Sequence, residues 1–320
     1  MSTEFADDSA GSAAGSSTTG VVQDLGTVPD FGPVKPEGCK GKVDLLFVIA
    51  RSPSMTTVQA QLVASFPGFV QTIEEQLADF DVHIMAVNPE AYWPGWSCEE
   101  TGCKQSDPPS CGAGAEGYQC NVYPWLITEC DETLGAGLIF NAGAGAANRQ
   151  CELFGGNRYI INDEPKLDDA LECIAKVGWS GGKCPMGEAL VAALDPAMND
   201  MSGCNSGFLR EDALLVVTVI SDRNDLESYT WPYQWYDKII AAKKDPNAVV
   251  MLGIVPQPHV DGEPYEMGCT YDDAADGKIR GLIDMFPHHA YGDTCAKSYA
   301  PFFVDAAAKI AEACDSFVPQ

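Results

Sequence analysis

Three short runs in this chain are apolar almost without a break: VDLLFVIA at 43–50, ALLVVTVIS at 213–221 and AVVMLGIV at 248–255. Each is rich in β-branched residues and too short for an ordinary helix, so each reads as a strand. A strand that alternates polar and apolar residues has one wet face; these have none and belong in a sheet covered on both sides. Between them the apolar residues fall at helical spacing, first through Val58, Leu62, Phe66, Phe69, Val70, Ile73 and Leu77. The same pattern predicts helices over about 166–177, 186–194, 235–243, 278–286 and 299–315, and further strands over 82–87 and 158–161. Strand and helix in alternation predict an α/β fold, doubly wound, with a mostly parallel sheet and helices on both faces.

Two stretches depart from that rhythm. Residues 1–38 are poor in apolar side chains and rich in Gly, Ser, Pro and acids, a composition that cannot repay the entropy of folding, so a disordered tail is expected there and the folded domain over 39–320. The tail has no basic start and no apolar core of the kind a signal peptide carries, so it is expected to be a flexible segment and not an export leader. Residues 88–157 carry six cysteines, many glycines and prolines, and the aromatic residues Trp93, Trp96, Tyr118, Tyr123 and Trp125; they read as a cysteine-rich insertion, dispensable for the sheet and important for recognition.

Charge and cysteine content narrow the function classes. With 19 Lys and Arg against 46 Asp and Glu, the net charge is −27, a field that repels phosphate backbones and anionic lipid heads. Nucleic acid is therefore not an expected partner, and no run is long enough for a transmembrane helix. Thirteen cysteines point to disulfides and an oxidising compartment, because Cys-x-x-Cys pairs and Cys/His clusters of the zinc type are missing.

In a doubly wound sheet, ligands bind beyond the carboxyl ends of the strands. Three segments lie there: ARSPS after the first strand, WSGGKCPMGEAL before the helix at 186, and SDRNDLES after the strand ending at Ser221. VDLLFVI followed by SPSM resembles the Asp-x-Ser-x-Ser signature of the von Willebrand factor A-type domain, a Rossmann-like fold. GGKCPMGEAL resembles that family's Gly-Gly-Thr loop, and VVTVISD the strand that delivers its last aspartate. The closing YAPFFVDAAAKIAEACDSFVP is similar to the end of cysteine-rich exported or lipid-anchored members from myxobacteria, so the resemblance spans about 39–319.

The resemblance implies a metal-ion-dependent adhesion site, in which Mg²⁺ is held by hard oxygen ligands and an acidic residue of the partner completes its shell. Ser52, Ser54 and Asp222 match the site; Ala50 stands where its aspartate belongs and Lys183 where its threonine falls, and Arg51, Lys183 and Arg223 add positive charge. At an effective dielectric near 20, an ammonium about 4 Å from a divalent ion repels it by on the order of 8 kcal/mol, more than two hydroxyls offset. The site is thus expected to be degenerate, with Mg²⁺ or Ca²⁺ disfavoured and no cofactor. Lys183 is expected to approach Asp222 in place of the ion; a rearranged metal site would draw on Ser52, Ser54, Asp222, Asp225 and Glu227.

The expected function is a non-enzymatic, exported binding or adhesion-type module, extracellular, periplasmic or tethered to an outer membrane, with a protein or envelope ligand of acidic character. One alternative is a Lys-dependent enzyme using Lys183 and Asp222 in the crevice; another is a structural envelope domain. In the implied fold the chain ends meet, which predicts a Cys39–Cys314 disulfide, with Cys173–Cys184 and Cys269–Cys295 beside it. The six cysteines from Cys98 to Cys151 would then pair among themselves and Cys204 would stay free. Other motifs are weaker. NAGAGAANR (141–149) lacks the third glycine of a dinucleotide loop and reads as a flexible or helix-capping segment, and no Gly-x-Ser-x-Gly is present. His83 reads as a strand residue, and His288 and His289 as surface residues.

Overall fold

In the computed structural model the described residues are 39, 41–91, 93, 127–143, 145–179, 183–258, 269–271 and 277–317. The chain divides into two units, 1–34 and 35–320. The expected tail lies outside the described residues, and all of the elements named below belong to the second unit.

The strands in chain order are β1 (Lys42–Ile49), β2 (Asp81–Val87), the short β3 (Phe140–Asn141) and β4 (Arg149–Gln150), β5 (Leu214–Ile220), β6 (Val249–Val255), the short β7 (Gln257–Pro258) and β8 (Thr270–Tyr271), and β9 (His288–Asp293). The helices are α1 (Thr56–Gln76), α2 (Leu167–Ala175), α3 (Met186–Ala193), the single turn α4 (Pro196–Asn199), α5 (Pro232–Lys243), α6 (Lys278–Ile283) and α7 (Ala300–Ser316). None of the described helices is long and apolar enough to cross a membrane.

Five strands form one parallel sheet in the order β2-β1-β5-β6-β9. Every residue of β5 and β6 is buried, as uninterrupted apolar runs require. From β1 the chain crosses through α1 to β2 on one side; from β5 it crosses through α5 to β6 on the other. Right-handed crossovers in opposite directions put their helices on opposite faces. On one face α1 packs against α2 and α7, with Phe69 and Phe303 ring centroids 4.6 Å apart; elsewhere α5 packs against α3 and α6. At Gly187 of α3 any Cβ would collide with the buried Trp235 of α5, so this contact needs a glycine.

The expected strand over 158–161 shrinks to a single antiparallel bridge between Ile84 and Ile160. Two backbone bonds of 2.9 and 2.8 Å make it, and it ends because the Asn162 side chain accepts from Val82 N–H at 2.6 Å in place of a main-chain carbonyl. The bridge covers the outer edge of β2, which would otherwise offer free pairing groups.

Disulfides join Cys39 to Cys314, Cys130 to Cys204, Cys151 to Cys173, and Cys269 to Cys295. Three expectations are corrected here. Cys173 bonds Cys151 and not Cys184, because α2 lies beside the strand pair β3-β4 while Cys184 sits in the loop entering α3. Cys204 is bonded, and Cys184 is the free cysteine among the described residues. The insertion is also not crosslinked only within itself: Cys130 and Cys151 tie it to residues beyond 157, and Leu138 N–H bonds Ala86 O at 2.9 Å. Its buried Trp93 packs 5.2 Å from Phe140. Cys98, Cys103, Cys111, Cys120, Trp96, Tyr118, Tyr123 and Trp125 lie outside the described residues.

At the amino end of the sheet a polar cluster is buried. Asp44 of β1 accepts from Arg210 N–H at 2.7 Å and Arg210 Nε at 2.8 Å, and Lys243 of α5 donates to the carbonyls of Arg210 and Ala213 at 2.6 and 2.7 Å. Burial pushes Asp44 up to about 6 against the pull of Arg210, and pushes Lys243 down to about 8. His83 Nδ1 lies 3.1 Å from Phe208 O with its ring on Tyr159, and burial lowers its pKa.

The Cys39–Cys314 bond closes the chain over 275 residues. Replacing both cysteines by serine should cost about 2–5 kcal/mol, read as a lower urea midpoint. A second prediction concerns Asp44. Its folded pKa lies above the unfolded value of 3.8, so its contribution is complete below that value and is lost as pH rises through about 6. Asp44→Asn should therefore remove roughly 2–3 kcal/mol of pH dependence between the two values. Urea titrations of both proteins at pH 4 to 7 check it, and parallel profiles would show the carboxylate carries no such shift.

Candidate functional site

The sheet reverses its winding between β1 and β5, and the crevice beyond their carboxyl ends is the expected place for a ligand. The register pairs Ile49 with Ile220, and Ala50 N–H continues the ladder to Ile220 O at 2.9 Å. Ser52 and Asp222 therefore leave their strands side by side. Ser52 Oγ donates to Asp222 Oδ1 at 2.6 Å, with both residues buried. Ser54, in the turn Pro53–Met55 that opens α1, donates to Ser52 Oγ at 3.3 Å.

The cation beside this carboxylate comes from Arg223. Its Nε stands 3.8 Å from Asp222 Oδ1 and its Nη2 donates to Ser54 Oγ at 3.3 Å. Ser52, Asp222, Arg223 and Ser54 thus form a closed ring, with the guanidinium on the exposed side. Lys183, expected in that position, is exposed and makes no hydrogen bond or ion pair among the described residues. Arg223 holds the place because it follows Asp222 directly and its side chain folds back over the carboxylate.

Arg51 also departs from expectation. It is fully buried, paired with Glu90 beyond β2, and its Nη2 lies 3.4 Å from Ala142 O. It points away from the serines and ties the carboxyl ends of β1 and β2 together. Sequence reasoning missed Glu90, although its place just past a parallel strand was a signal: such loops converge. Gln59 was missed too. Buried in α1, it donates to Ala50 O and Gly178 O at 3.2 and 2.6 Å and accepts from Gly178 N–H at 3.2 Å, stitching two of the strand-end segments.

Asp225 and Glu227 are committed elsewhere. Asp225 accepts from Gly187 N–H in the first turn of α3 at 2.8 Å, from Ser228 N–H at 2.8 Å, from Ser228 Oγ at 2.6 Å and from Glu227 N–H at 3.2 Å. A buried carboxylate so used caps a helix start and is not available to a metal. Glu227 accepts from Cys184 N–H at 3.1 Å. The Cys184 thiol lies in the same interior, where the Arg51 N–H points to its sulfur and burial pushes its pKa up.

Would this ring suit a divalent ion? Mg²⁺ needs about six oxygens at close range. The ring offers two neutral hydroxyls, one of them donating to the carboxylate, and a guanidinium over the only anion; Ala50 contributes a methyl group. The residues do not fit the metal. Among the described residues no three His, Cys, Asp or Glu side chains converge as ligands either. His288 Nε2 lies 3.2 Å from Ser316 Oγ, and His289 Nδ1 2.6 Å from Phe286 O.

The ends of the 141–149 motif belong to the antiparallel pair β3 and β4, with Asn141 opposite Arg149, and not to a helix cap or a nucleotide loop; Asn148 adopts a left-handed φ of 53° and bonds the backbone of Gly143 and Ala146.

No family model matches the chain, and neither does any curated protein. Among solved structures it is similar to proximal thread matrix protein 1 from the mussel byssus, with 12% identity and a TM-score of 0.37. The match covers 87% of this chain and 47% of that one, so the chain spans about half the length of that protein. A likeness at that score carries no argument about function.

Calorimetric titration with millimolar Mg²⁺ should give no binding heat. The triple change Ala50→Asp, Lys183→Thr and Arg223→Ser should create a site, since it adds a carboxylate and two hydroxyls and removes two cations. Heat from the unaltered chain would show that the ring opens to admit the ion.

Proposed function

We propose that this chain is an exported, non-enzymatic binding module of the von Willebrand factor A type whose adhesion site works without a divalent ion. The observation that carries the reading is the ring itself. Two serines and an aspartate stand at the switch point of a parallel sheet, and a guanidinium takes the side on which a cation would face a partner. In a metal-dependent site the ion attracts a carboxylate of the ligand; here Arg223, exposed and held by Asp222 and Ser54, supplies that attraction and offers the planar, bidentate geometry suited to a carboxylate. The partner is thus a protein or envelope component that presents an acidic side chain.

Four disulfides among the described residues support an oxidising setting. Within that range we place the chain outside the cell, in a periplasm, or tethered to an outer surface by its N-terminal segment.

The reading is tested with an array of synthetic dodecapeptides that each carry a central Asp or Glu, every one beside its Asn or Gln twin. The chain should bind a subset of the acidic members and not their amide twins, equally well in Mg²⁺ and in EDTA. Arg223→Gln should erase the preference for acid over amide. Binding abolished by EDTA would return the site to the metal-dependent class, and an unchanged preference in Arg223→Gln would remove Arg223 from the site.

A further inference from the structure

Four large apolar side chains that reach solvent fall within eight consecutive positions: Leu226 at 78% exposure, Tyr229 at 88%, Trp231 at 56% and Tyr233 at 58%. They begin three residues after Arg223, on the segment that leads from β5 into the first turn of α5. Single exposed apolar residues need no explanation, but a contiguous set beside a binding crevice does.

The segment is pinned from below. Asp225 gathers the N–H groups of Glu227 and Ser228. Glu188 of α3 accepts from Thr230 N–H at 2.9 Å and Thr230 Oγ1 at 2.6 Å. Lys278 Nζ donates to Ser228 O at 2.7 Å and Thr230 O at 3.3 Å, and stands 4.8 Å from the Trp231 ring centroid. The polar atoms turn inward while the apolar side chains stay outside. A surface already ordered in this way loses little entropy when it binds.

Charge selects the occupant. The chain as a whole carries −27, yet the carboxylates of this segment, Asp222, Asp225 and Glu227, all receive donors from their own fold. The side chains of Arg223 and Lys183 are exposed at the same edge. Trp, Tyr and Arg are also the residue types that dominate binding energy at protein interfaces.

We infer that residues 226–233 are the apolar half of a protein-docking surface, and that its occupant is a polypeptide segment carrying a carboxylate beside large apolar side chains. The inference rests on the reading of Arg223 given above: the guanidinium takes the carboxylate, and Leu226, Tyr229, Trp231 and Tyr233 take the flanking apolar groups.

The dodecapeptide array tests both halves separately when each acidic peptide is also made with its flanking Leu, Ile or Phe residues changed to serine. The serine twins should bind about tenfold more weakly. Leu226→Ser combined with Tyr229→Ser, two residues whose side chains are mostly in water, should abolish the difference between apolar and serine peptides while the acid-over-amide preference persists. Trp231→Ser should act in the same direction, and an unchanged melting temperature shows that each variant is folded. If the double variant discriminates apolar from serine peptides as the unaltered chain does, the inference is wrong and the Arg223 reading stands. If Arg223→Gln alone leaves the acid preference intact, the reading of Arg223 fails instead, and with it the identity of the occupant. Binding of a neutral oligosaccharide such as cellohexaose, lost in the double variant while no peptide binds, would make the surface a sugar platform and overturn the inference.

Discussion

The candidate site depends on one strand-pairing register. β1 lies between β2 and β5, and its ladder to β5 runs in parallel from Val43–Leu214 to Ile49–Ile220. Because the pairing is in step at that last pair, the residues just beyond it emerge together, and Ser52 meets Asp222 although 170 positions separate them. A slip of one residue would part the serine from the aspartate. The register is secured by burial on both faces, by the Ala50 N–H bond to Ile220 O and by Gln59, which holds Ala50 O from α1.

On that frame, small changes of charge have large effects. Ala50 at the end of β1 is buried and carries no acid, so the ring of Ser52, Ser54 and Asp222 holds one carboxylate, and one cation suffices to balance it. Arg223 is that cation. Arg51 cannot serve, since its buried guanidinium is matched to Glu90, and taking an ion pair out of water is repaid only while both partners remain. Two arginines thus do different work at the same edge: one joins the ends of β1 and β2 from inside, the other faces outward.

Much of this was legible in the sequence. The uninterrupted apolar runs gave the parallel sheet, helical spacing placed every helix of three turns or more, and the two matching serines do meet the aspartate beyond the strand ends. What sequence could not supply was direction. Nothing in ARSPS says that the arginine turns towards Glu90 and the serines towards Asp222, because that depends on the partner waiting beyond β2. Lys183 was the residue expected beside the aspartate, and only the backbone shows that Arg223 is the one that folds back on it. The disulfides divide in the same way. A bond between chain ends comes with the fold, whereas Cys173 with Cys151, and Cys130 with Cys204, depend on how an irregular segment lies against the domain. Spacing along the chain carries no record of that.

The two ends of the sheet also divide the labour. At the amino end, Asp44, Arg210 and Lys243 form a buried cluster whose charges are satisfied by one another and by carbonyl groups, and the Cys39–Cys314 bond enters close by, just ahead of β1. These groups are remote from the crevice and concern stability. At the carboxyl end the polar groups instead hold backbone in place: Asp225 caps α3, Glu188 holds Thr230, and Lys278 gathers two carbonyls beneath Trp231. Each of those bonds fixes the base of an exposed side chain without covering it. A surface of this kind can change its outward residues at little cost to the fold, because the anchoring atoms are main-chain groups and the side chains that grip them are already buried or half-buried. Arg223, Leu226, Tyr229 and Trp231 can therefore vary while the frame that presents them stays fixed.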